Sequence, residues 1–197
     1  YDYCLSNNIN LISDEIYHGI EFCKKIPSML NIGKETIVIN SFSKYFCMPG
    51  WRLGWVIIPK LLTDNFMKLS QNLFISSGNI AQYSALKVFE NIKELRDIVR
   101  IYESNRDIVY EILSKIPIIS LRKPNGSFYF YIDISLTKEN SFNFVEKLLH
   151  ETGVVLTPGF DFDKKFGKNT VRLSFSPESR IIVEAVEKFS KWLKKNY

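Results

Sequence analysis

The chain has 197 residues, 46% of them hydrophobic and 14% aromatic, so it can bury a core and is not a disordered protein. Its formal net charge of +5 is mild and its basic residues form no stripe with interleaved aromatics, which argues against a nucleic-acid partner. No apolar run is long enough to span a membrane. Three separated cysteines and two histidines offer neither a disulfide framework nor a zinc site, so we expect a cytoplasmic protein without a metal.

The first part of the chain carries three short apolar runs that predict buried strands, over residues 9–13, 36–41 and 53–58. Runs that are apolar along their whole length are typical of sheets covered on both faces. Two helices are predicted after them, over residues 59–71 and 81–90.

The second part of the chain mixes helices and strands in α+β fashion. Its predicted elements are a helix over 93–115, a strand over 127–134, a helix over 141–152 capped by Ser141 and closed by Gly153, strands over 153–156 and 170–175, and a helix from Pro177 to the end. Because the pattern changes near residues 110–116, we place a domain boundary after residue 112.

Polar residues of the kind that carry chemistry follow two of the predicted strands. Asp14 and Tyr17 come just after the first strand, and the string S-F-S-K at 41–44 follows the second. Arg52 comes eight residues after that lysine, and Arg172 lies in a late strand. Taken one at a time, such residues are usually solvated surface positions. Their order and spacing are far more specific than any one of them.

These strings resemble the signature of the class I/II aminotransferases, which are fold-type I enzymes dependent on pyridoxal 5'-phosphate (PLP). The strings that carry the resemblance are S-D-E-I-Y, S-F-S-K, G-W-R-L-G-W, G-S-F-Y, P-G-F-D-F and V-R-L-S-F. The resemblance covers essentially the whole chain. It implies an α/β fold in which residues 1–112 form the C-terminal part of a large, mostly parallel PLP-binding domain with its long connecting helix. Residues 113–197 would then form a small α+β C-terminal domain.

The resemblance assigns the coenzyme's reactive ring to three residues. Lys44 would form a Schiff base with PLP and move the proton at the substrate's α-carbon as general base and acid. Asp14 would pair with the pyridine nitrogen and keep it protonated, so that the ring can accept electrons. Tyr17 would donate a hydrogen bond to the phenolic oxygen of the coenzyme.

The resemblance assigns the anionic groups to a second set of residues. Ser41, Ser43 and Arg52 would bind the coenzyme's phosphate, because hydroxyls and a guanidinium are suited to that anion. Arg172 would bind the α-carboxylate of the amino-acid substrate. Phe128 has two interpretations, as a wall of the substrate pocket or as an ordinary core aromatic.

The chain begins at Tyr1 without a methionine, which suggests a fragment. In full-length relatives the loop that caps the phosphate, the aromatic that stacks on the ring and the N-P-x-G segment all precede the matching position. We therefore expect a fragment that lacks the N-terminal half and is poorly active alone, from an enzyme that forms homodimers at full length.

Three functions remain open on these residues. The first is an aminotransferase that moves an amino group between an L-amino acid and a 2-oxo acid. The second is a PLP-dependent C–S lyase or decarboxylase of the same fold, because the same lysine serves those reactions. The third is a non-catalytic, aminotransferase-like regulatory module, which would bind the coenzyme without turnover. The identity of the amino acid and the oxo acid is not readable from the sequence.

Overall fold

Two separate sheets organise the chain in a computed structural model that describes residues 1–197. The strands are β1 (Ile12–Asp14), β2 (Ile37–Ser41), β3 (Gly54–Ile57), β4 (Ser120–Leu121), β5 (Tyr129–Asp133), β6 (Thr157–Pro158) and β7 (Thr170–Ser174). The helices are α1 (Asp2–Ser6), α2 (Thr63–Leu73), α3 (Asn79–Val88), α4 (Ile92–Leu113), α5 (Ser141–Thr152) and α6 (Ser179–Asn196). The predicted α/β class is confirmed.

The first sheet has the strand order β1-β2-β3 and combines two kinds of pairing. Strand β1 runs parallel to β2 with Asp14 opposite Ile39, and β2 runs antiparallel to β3 with Ser41 opposite Gly54. The carboxyl ends of β1 and β2 therefore lie at the same edge of the sheet as the amino end of β3. Chain segments that leave or enter the strands at this edge are brought together.

The connection from β2 to β3 is anchored by an apolar cluster on helix α3. Its buried members are Phe42, Met48, Leu53, Ala81 and Ala85. The Phe42 ring lies at the centre of a group of aromatic side chains, with its centroid 5.0 Å from the centroids of both Phe46 and Trp55. Aromatic pairs at this separation stabilise a core beyond the area they bury. The cluster therefore fixes the loop from its apolar side.

The prediction that the first three strands are buried on both faces is wrong for this chain. Val38 is only 2% exposed, but Ile12, Ile39 and Val56 are 58%, 42% and 41% exposed. Side chains alternate between the two faces of a strand, and the three exposed residues share the face of the sheet opposite to that of Val38. Apolar composition alone does not distinguish a covered face from an open one.

The second sheet has the strand order β4-β5-β7-β6, and all of its pairings are antiparallel. Its core is dominated by large side chains that are fully buried, chiefly Phe130, Phe144, Phe175 and Phe189. Phe144 of α5 meets Trp192 of α6 edge to face at a centroid distance of 5.2 Å. The strand predicted over 153–156 is wrong, because the paired residues are those of β6. The cap of α5 is Asn140, which accepts from Asn143 N at 3.0 Å, and not Ser141.

The chain divides into two units, Tyr1–Val99 and Arg100–Tyr197. The division falls inside helix α4, earlier than the boundary predicted after residue 112. The assignment of domains as 1–112 and 113–197 stays a prediction. None of the helices combines the length and the apolar character that crossing a membrane requires.

The close pairing of β2 and β3 predicts different responses at two glycines of this segment. A Cβ atom at Gly54 would lie 2.8 Å from Asn40 O, whereas nothing lies within 4 Å of a Cβ at Gly50. Gly54→Ala must push the strands apart, and we expect it to lower the free energy of unfolding by about 2 kcal/mol. Gly50→Ala is the matched control and should change the free energy of unfolding by no more than about 1 kcal/mol. Urea unfolding followed by circular dichroism measures both, and equal values for the two variants would contradict the prediction.

Candidate active site

The residues predicted to bind the coenzyme converge on one edge of the first sheet. Asp14 is the last residue of β1, the segment 41–44 begins at the end of β2, and Arg52 lies two residues before β3. Since these strand ends share an edge, the register brings the carboxylate, the hydroxyls, the lysine and the arginine to the same place. Ligands of open α/β sheets bind at this position, outside the carboxyl ends of the strands.

The two predicted serines have adjacent hydroxyls. Ser41 Oγ lies 2.9 Å from Ser43 Oγ and accepts a hydrogen bond from Ser43 N at 3.1 Å. Ser41 Oγ also lies 3.2 Å from Leu53 O, on the chain segment that enters β3. The pair is half-buried, as is the following Lys44, whose carbonyl accepts from Cys47 N at 3.1 Å. A tight turn therefore presents two hydroxyls and one amine within four residues.

Arg52 adopts an unusual backbone conformation at the end of the same loop. Its φ of 51° and ψ of 47° are left-handed, which is uncommon for a residue other than glycine. Its side chain is exposed, and Nη1 donates to Pro49 O at 2.8 Å. A guanidinium has five N–H donors, so this single bond leaves others for an anion.

Asp14 and Tyr17 flank a turn that follows β1. The Asp14 carboxylate is exposed and its Oδ1 accepts from Ile16 N at 3.1 Å. The turn continues with His18 N donating to Glu15 O at 3.0 Å and Ile20 N donating to Tyr17 O at 3.0 Å. The Tyr17 side chain is half-buried. These local bonds fix the direction in which the chain leaves the strand.

Glu15, between these two residues, is a buried acid that was not among the predicted site residues. Its side chain is 7% exposed, and Oε1 accepts from Met29 N at 2.8 Å, Ser28 Oγ at 3.1 Å and Ser13 Oγ at 3.2 Å. Its other oxygen, Oε2, lies 3.0 Å from His18 Nδ1. A buried carboxylate is tolerated when it is bonded in this way. Glu15 therefore ties the turn carrying Asp14 and Tyr17 to the segment at 28–29.

Arg172, the predicted carboxylate-binding residue, lies in β7 of the second unit. Its Cα is opposite those of Tyr131 in β5 and Thr157 in β6. The guanidinium carbon lies 4.3 Å from the ring centroid of Tyr129 and 4.1 Å from that of Phe162. Both distances are well within the range of a cation–π interaction. Arg172 Nε is buried and has no hydrogen-bond partner in the protein.

The tight packing of two glycines brings Phe162 to this position. A Cβ at Gly159 would collide with Thr170 Oγ1 and with Gly167 O, and a Cβ at Gly167 would collide with Gly159 O. The segment after β6 therefore presses directly against the residues that enter β7. Phe162 N donates back to Gly159 O at 2.9 Å and closes the turn. The P-G-F-D-F string is thus a turn whose last residue contacts Arg172.

The two aromatics beside Arg172 were missed at the sequence level, and Phe128 was considered instead. Phe128 is 8% exposed and packs in the core against Tyr102, with ring centroids 5.6 Å apart, which favours the core interpretation. Strand alternation could have indicated Tyr129, because it shares a strand face with Tyr131, the residue opposite Arg172. Phe162 lies in a loop, and no periodic signal locates it.

Comparisons with known proteins identify the family of the chain. The family described as aminotransferase class I and II matches residues 1–189. The chain belongs to the class I and II aminotransferase family. A valine–pyruvate aminotransferase of Mycobacterium tuberculosis is 36% identical over 195 residues, which are 97% of this chain and 50% of the relative. A (5-formylfuran-3-yl)methyl phosphate transaminase of Methanocaldococcus jannaschii is also 36% identical, over 99% of this chain and 53% of that protein.

The solved structures show the same relation. The crystal structure of an aminotransferase from Mycobacterium tuberculosis superposes with a TM-score of 0.94 and 35% identity, covering 98% of this chain and 51% of that one. The aminotransferase fold is therefore shared over almost all of the described residues. The chain spans about half the length of the relatives that it matches.

The donor set of this aminotransferase chain fits the coenzyme implied by the family resemblance. PLP presents an aldehyde, a ring nitrogen and a phosphate, which call for an amine, a carboxylate and a group of hydrogen-bond donors. The edge of the first sheet offers these groups in Lys44, in Asp14 and in the adjacent serine hydroxyls with Arg52. The neighbouring carboxylate of Glu15 is bonded within its own buried network.

The Glu15 network predicts a large difference between two substitutions. Glu15→Ala leaves Met29 N, Ser28 Oγ and His18 without their acceptor, and we expect it to lower the free energy of unfolding by about 3 kcal/mol. Glu15→Gln keeps one acceptor oxygen for the same donors and should lower it by about 1 kcal/mol. The exposed Glu35→Ala serves as control and should stay within about 0.5 kcal/mol of the parent. Urea titrations measure the free energy of unfolding of the three variants. A small loss of unfolding free energy in Glu15→Ala would refute the anchoring role.

Proposed function

We propose that this chain supplies the coenzyme-binding lysine and the carboxylate-binding arginine of an aminotransferase that acts on an L-amino acid and a 2-oxo acid. The observation that carries the proposal is the convergence of Asp14, Ser41–Lys44 and Arg52 on one edge of the first sheet. Membership of the aminotransferase family supports it. Because the chain spans about half the length of its relatives, the activity of the whole protein is part of the proposal.

Lys44 is the proposed catalytic residue. Its ε-amine holds the coenzyme covalently and then moves a proton at the substrate's α-carbon. When bound, PLP supplies an electron sink for the bonds of that carbon. The loop that carries Lys44 is fixed from behind by the Phe42 cluster, which supports a precise position for the amine.

Asp14 and Tyr17 are proposed to orient the coenzyme ring. The Asp14 carboxylate holds a proton on the ring nitrogen by pairing with the cation, and the Tyr17 hydroxyl donates to the phenolic oxygen. Both residues belong to the turn that Glu15 anchors. A fixed turn supports this assignment, since orienting groups act only when they are held in place.

Ser41, Ser43 and Arg52 are proposed to bind the phosphate. The two hydroxyls lie 2.9 Å apart, so one phosphate oxygen can contact both. Arg52 adds a positive charge at the same edge, with donors beyond the one given to Pro49 O. The donors and the charge together are what a phosphate group requires.

Arg172 is proposed to bind the substrate's α-carboxylate, because a planar guanidinium matches that group. Its terminal nitrogens have no acceptor in the protein, which leaves them available for a ligand. The relatives act on different compounds by name, from valine and pyruvate to (5-formylfuran-3-yl)methyl phosphate, so the proposal stays at the level of an amino acid and a 2-oxo acid. We also propose that the enzyme works as a homodimer, as the family resemblance implies, and in the cytoplasm, as the three separated cysteines suggest.

A C–S lyase or decarboxylase, and a regulatory module without turnover, would use the same lysine. The aminotransferase or transaminase names of the relatives favour transamination. Conversion of the bound coenzyme to pyridoxamine phosphate on addition of an amino acid distinguishes transamination from both alternatives. Release of pyruvate without that conversion would identify a lyase, and binding without either product would identify a regulatory module.

The first test of the proposal is covalent trapping on Lys44. The chain is incubated with PLP, reduced with sodium borohydride and digested, and we expect the pyridoxyl phosphate group on the peptide that contains residue 44. Lys44→Ala should lose this adduct. Lys60→Ala, at an exposed lysine of the same unit, is the control and should retain it. Modification spread equally over exposed lysines, with no preference for residue 44, would exclude the proposed site.

A second test addresses the ring carboxylate. Asp14→Asn keeps the shape of the side chain and removes its charge, and we expect it to weaken PLP binding about tenfold, which corresponds to one charge-assisted hydrogen bond. The exposed Asp64→Asn should leave the affinity unchanged. Titration of coenzyme absorbance gives both dissociation constants. Equal affinities for the parent and Asp14→Asn would remove Asp14 from the site.

A further inference from the structure

We propose that Tyr129 and Phe162 form an aromatic clamp that positions the Arg172 guanidinium, so that its terminal nitrogens receive a ligand carboxylate end-on. The proposal rests on the proposed function of Arg172 and names two positioning residues for it. It also names the ligand class, a planar carboxylate with its charge at the end of an apolar or neutral body.

Two aromatic rings lie close to the positively charged guanidinium of Arg172. Its guanidinium carbon lies 4.3 Å from the Tyr129 centroid and 4.1 Å from the Phe162 centroid. Neither ring is an anion or a hydrogen-bond acceptor of carboxylate strength. Cation–π attraction therefore fixes the position of the group while its charge and its donors remain available.

Another arginine of the same unit shows the contrasting arrangement. Arg106 is 5% exposed, and its Nε bonds Asp107 Oδ1 at 2.7 Å while Nη2 bonds Glu103 Oε1 at 3.2 Å. A third bond runs from its Nη1 to Pro124 O. Arg106 is therefore neutralised and used within the fold, whereas Arg172 has no carboxylate partner. Of the two, only Arg172 is prepared for an external anion.

The nitrogens of the Arg172 guanidinium differ in their access to a ligand. Arg172 Nε is buried and has no protein acceptor, so a ligand cannot approach it directly. The two terminal nitrogens are likewise without protein acceptors but are not buried. A carboxylate therefore binds across Nη1 and Nη2, in the end-on form of the bidentate pair. Burial of an unpaired Nε–H is costly, and the clamp is what maintains it.

The turn that carries Phe162 is held firmly in place. The mutual contact of Gly159 and Gly167 leaves no space for a side chain at either position. Asp163, the residue after Phe162, accepts at its Oδ1 from Lys165 N at 2.8 Å and from Phe166 N at 3.0 Å. Although Phe162 is 52% exposed, its backbone is thus fixed on both sides.

The experiment follows the arginine side chains of the 197-residue chain by two-dimensional NMR with selective ¹⁵N-arginine labelling. Propionate is the probe, and neutral propionamide is the comparison ligand. We expect propionate, but not propionamide, to shift the Arg172 signal, which is assigned by its loss in Arg172→Lys. Phe162→Leu should weaken propionate binding about fivefold, as expected for the loss of one cation–π partner.

Two variants separate positioning from a structural role. Phe162→Tyr keeps an aromatic ring and should retain the parent affinity. Phe160→Leu removes a neighbouring phenylalanine that is 58% exposed and should leave both the affinity and the Arg172 signal unchanged. A merely structural role for Phe162 would lower the unfolding free energy without altering propionate affinity, and that outcome overturns the proposal.

The remaining outcomes are also decisive. Failure of propionate to shift Arg172 in the parent chain, or equal losses in Phe162→Leu and Phe160→Leu, would overturn the clamp. Coenzyme trapping on residue 44 is measured separately and does not involve these aromatics. Loss of trapping with an intact clamp would refute the proposed function alone, and intact trapping with no effect at Phe162 would refute the clamp alone.

Discussion

The arrangement of the first unit depends on one strand, β2, which pairs in parallel with β1 and antiparallel with β3. A parallel partner alone would bring Asp14 to the edge where Ser41 lies. The antiparallel partner adds the residues that precede β3, and with them Arg52. A shift of either pairing by one residue would turn every side chain of the moved strand to the other face. The backbone pairing of the three strands therefore decides which polar residues meet at this edge.

Polar residues that are bonded within the fold and polar residues that are not have different roles in this chain. Glu15 is buried and uses its carboxylate on the backbone and hydroxyls of its own unit. Asp14, its neighbour, is exposed and has only a local turn bond. In the second unit Arg106 is likewise buried and bonded to carboxylates, whereas Arg172 is half-buried and has no carboxylate partner. In each pair, one member stabilises the fold and the other keeps its charge available.

Much of the architecture was accessible from the sequence, because it is encoded locally. The helices over 63–73, 92–113 and 141–152 follow from apolar spacing, and the Gly153 terminus follows from the need for a left-handed residue, observed at φ 74°. The strings S-F-S-K and G-W-R-L-G stand where the structure has the connection between the paired ends of β2 and β3, and the roles of their residues stay predictions. The errors concern exact boundaries, which the local pattern does not determine: the strand expected over 153–156 and the capping residue of α5.

The parts that escaped prediction depend on contacts between residues distant in sequence. Glu15 acquires its role from a segment thirteen and fourteen residues away, at Ser28 and Met29. Phe162 reaches Arg172 only because two glycines pack against each other. The exposure of the first sheet likewise depends on what covers it, which the composition of a strand does not report. Such features become visible only in the folded structure.

The left-handed backbone at Arg52 has a consequence for engineering. A residue with a Cβ at this φ carries strain of about 1 kcal/mol, which glycine would relieve at the expense of the guanidinium. Ile75, with φ of 63° and 81% exposure, carries the same kind of strain with a branched side chain and no assigned duty. Thermostabilisation by glycine or asparagine therefore belongs at position 75, while position 52 should keep its arginine, because glycine there would remove the guanidinium that is proposed to bind the phosphate.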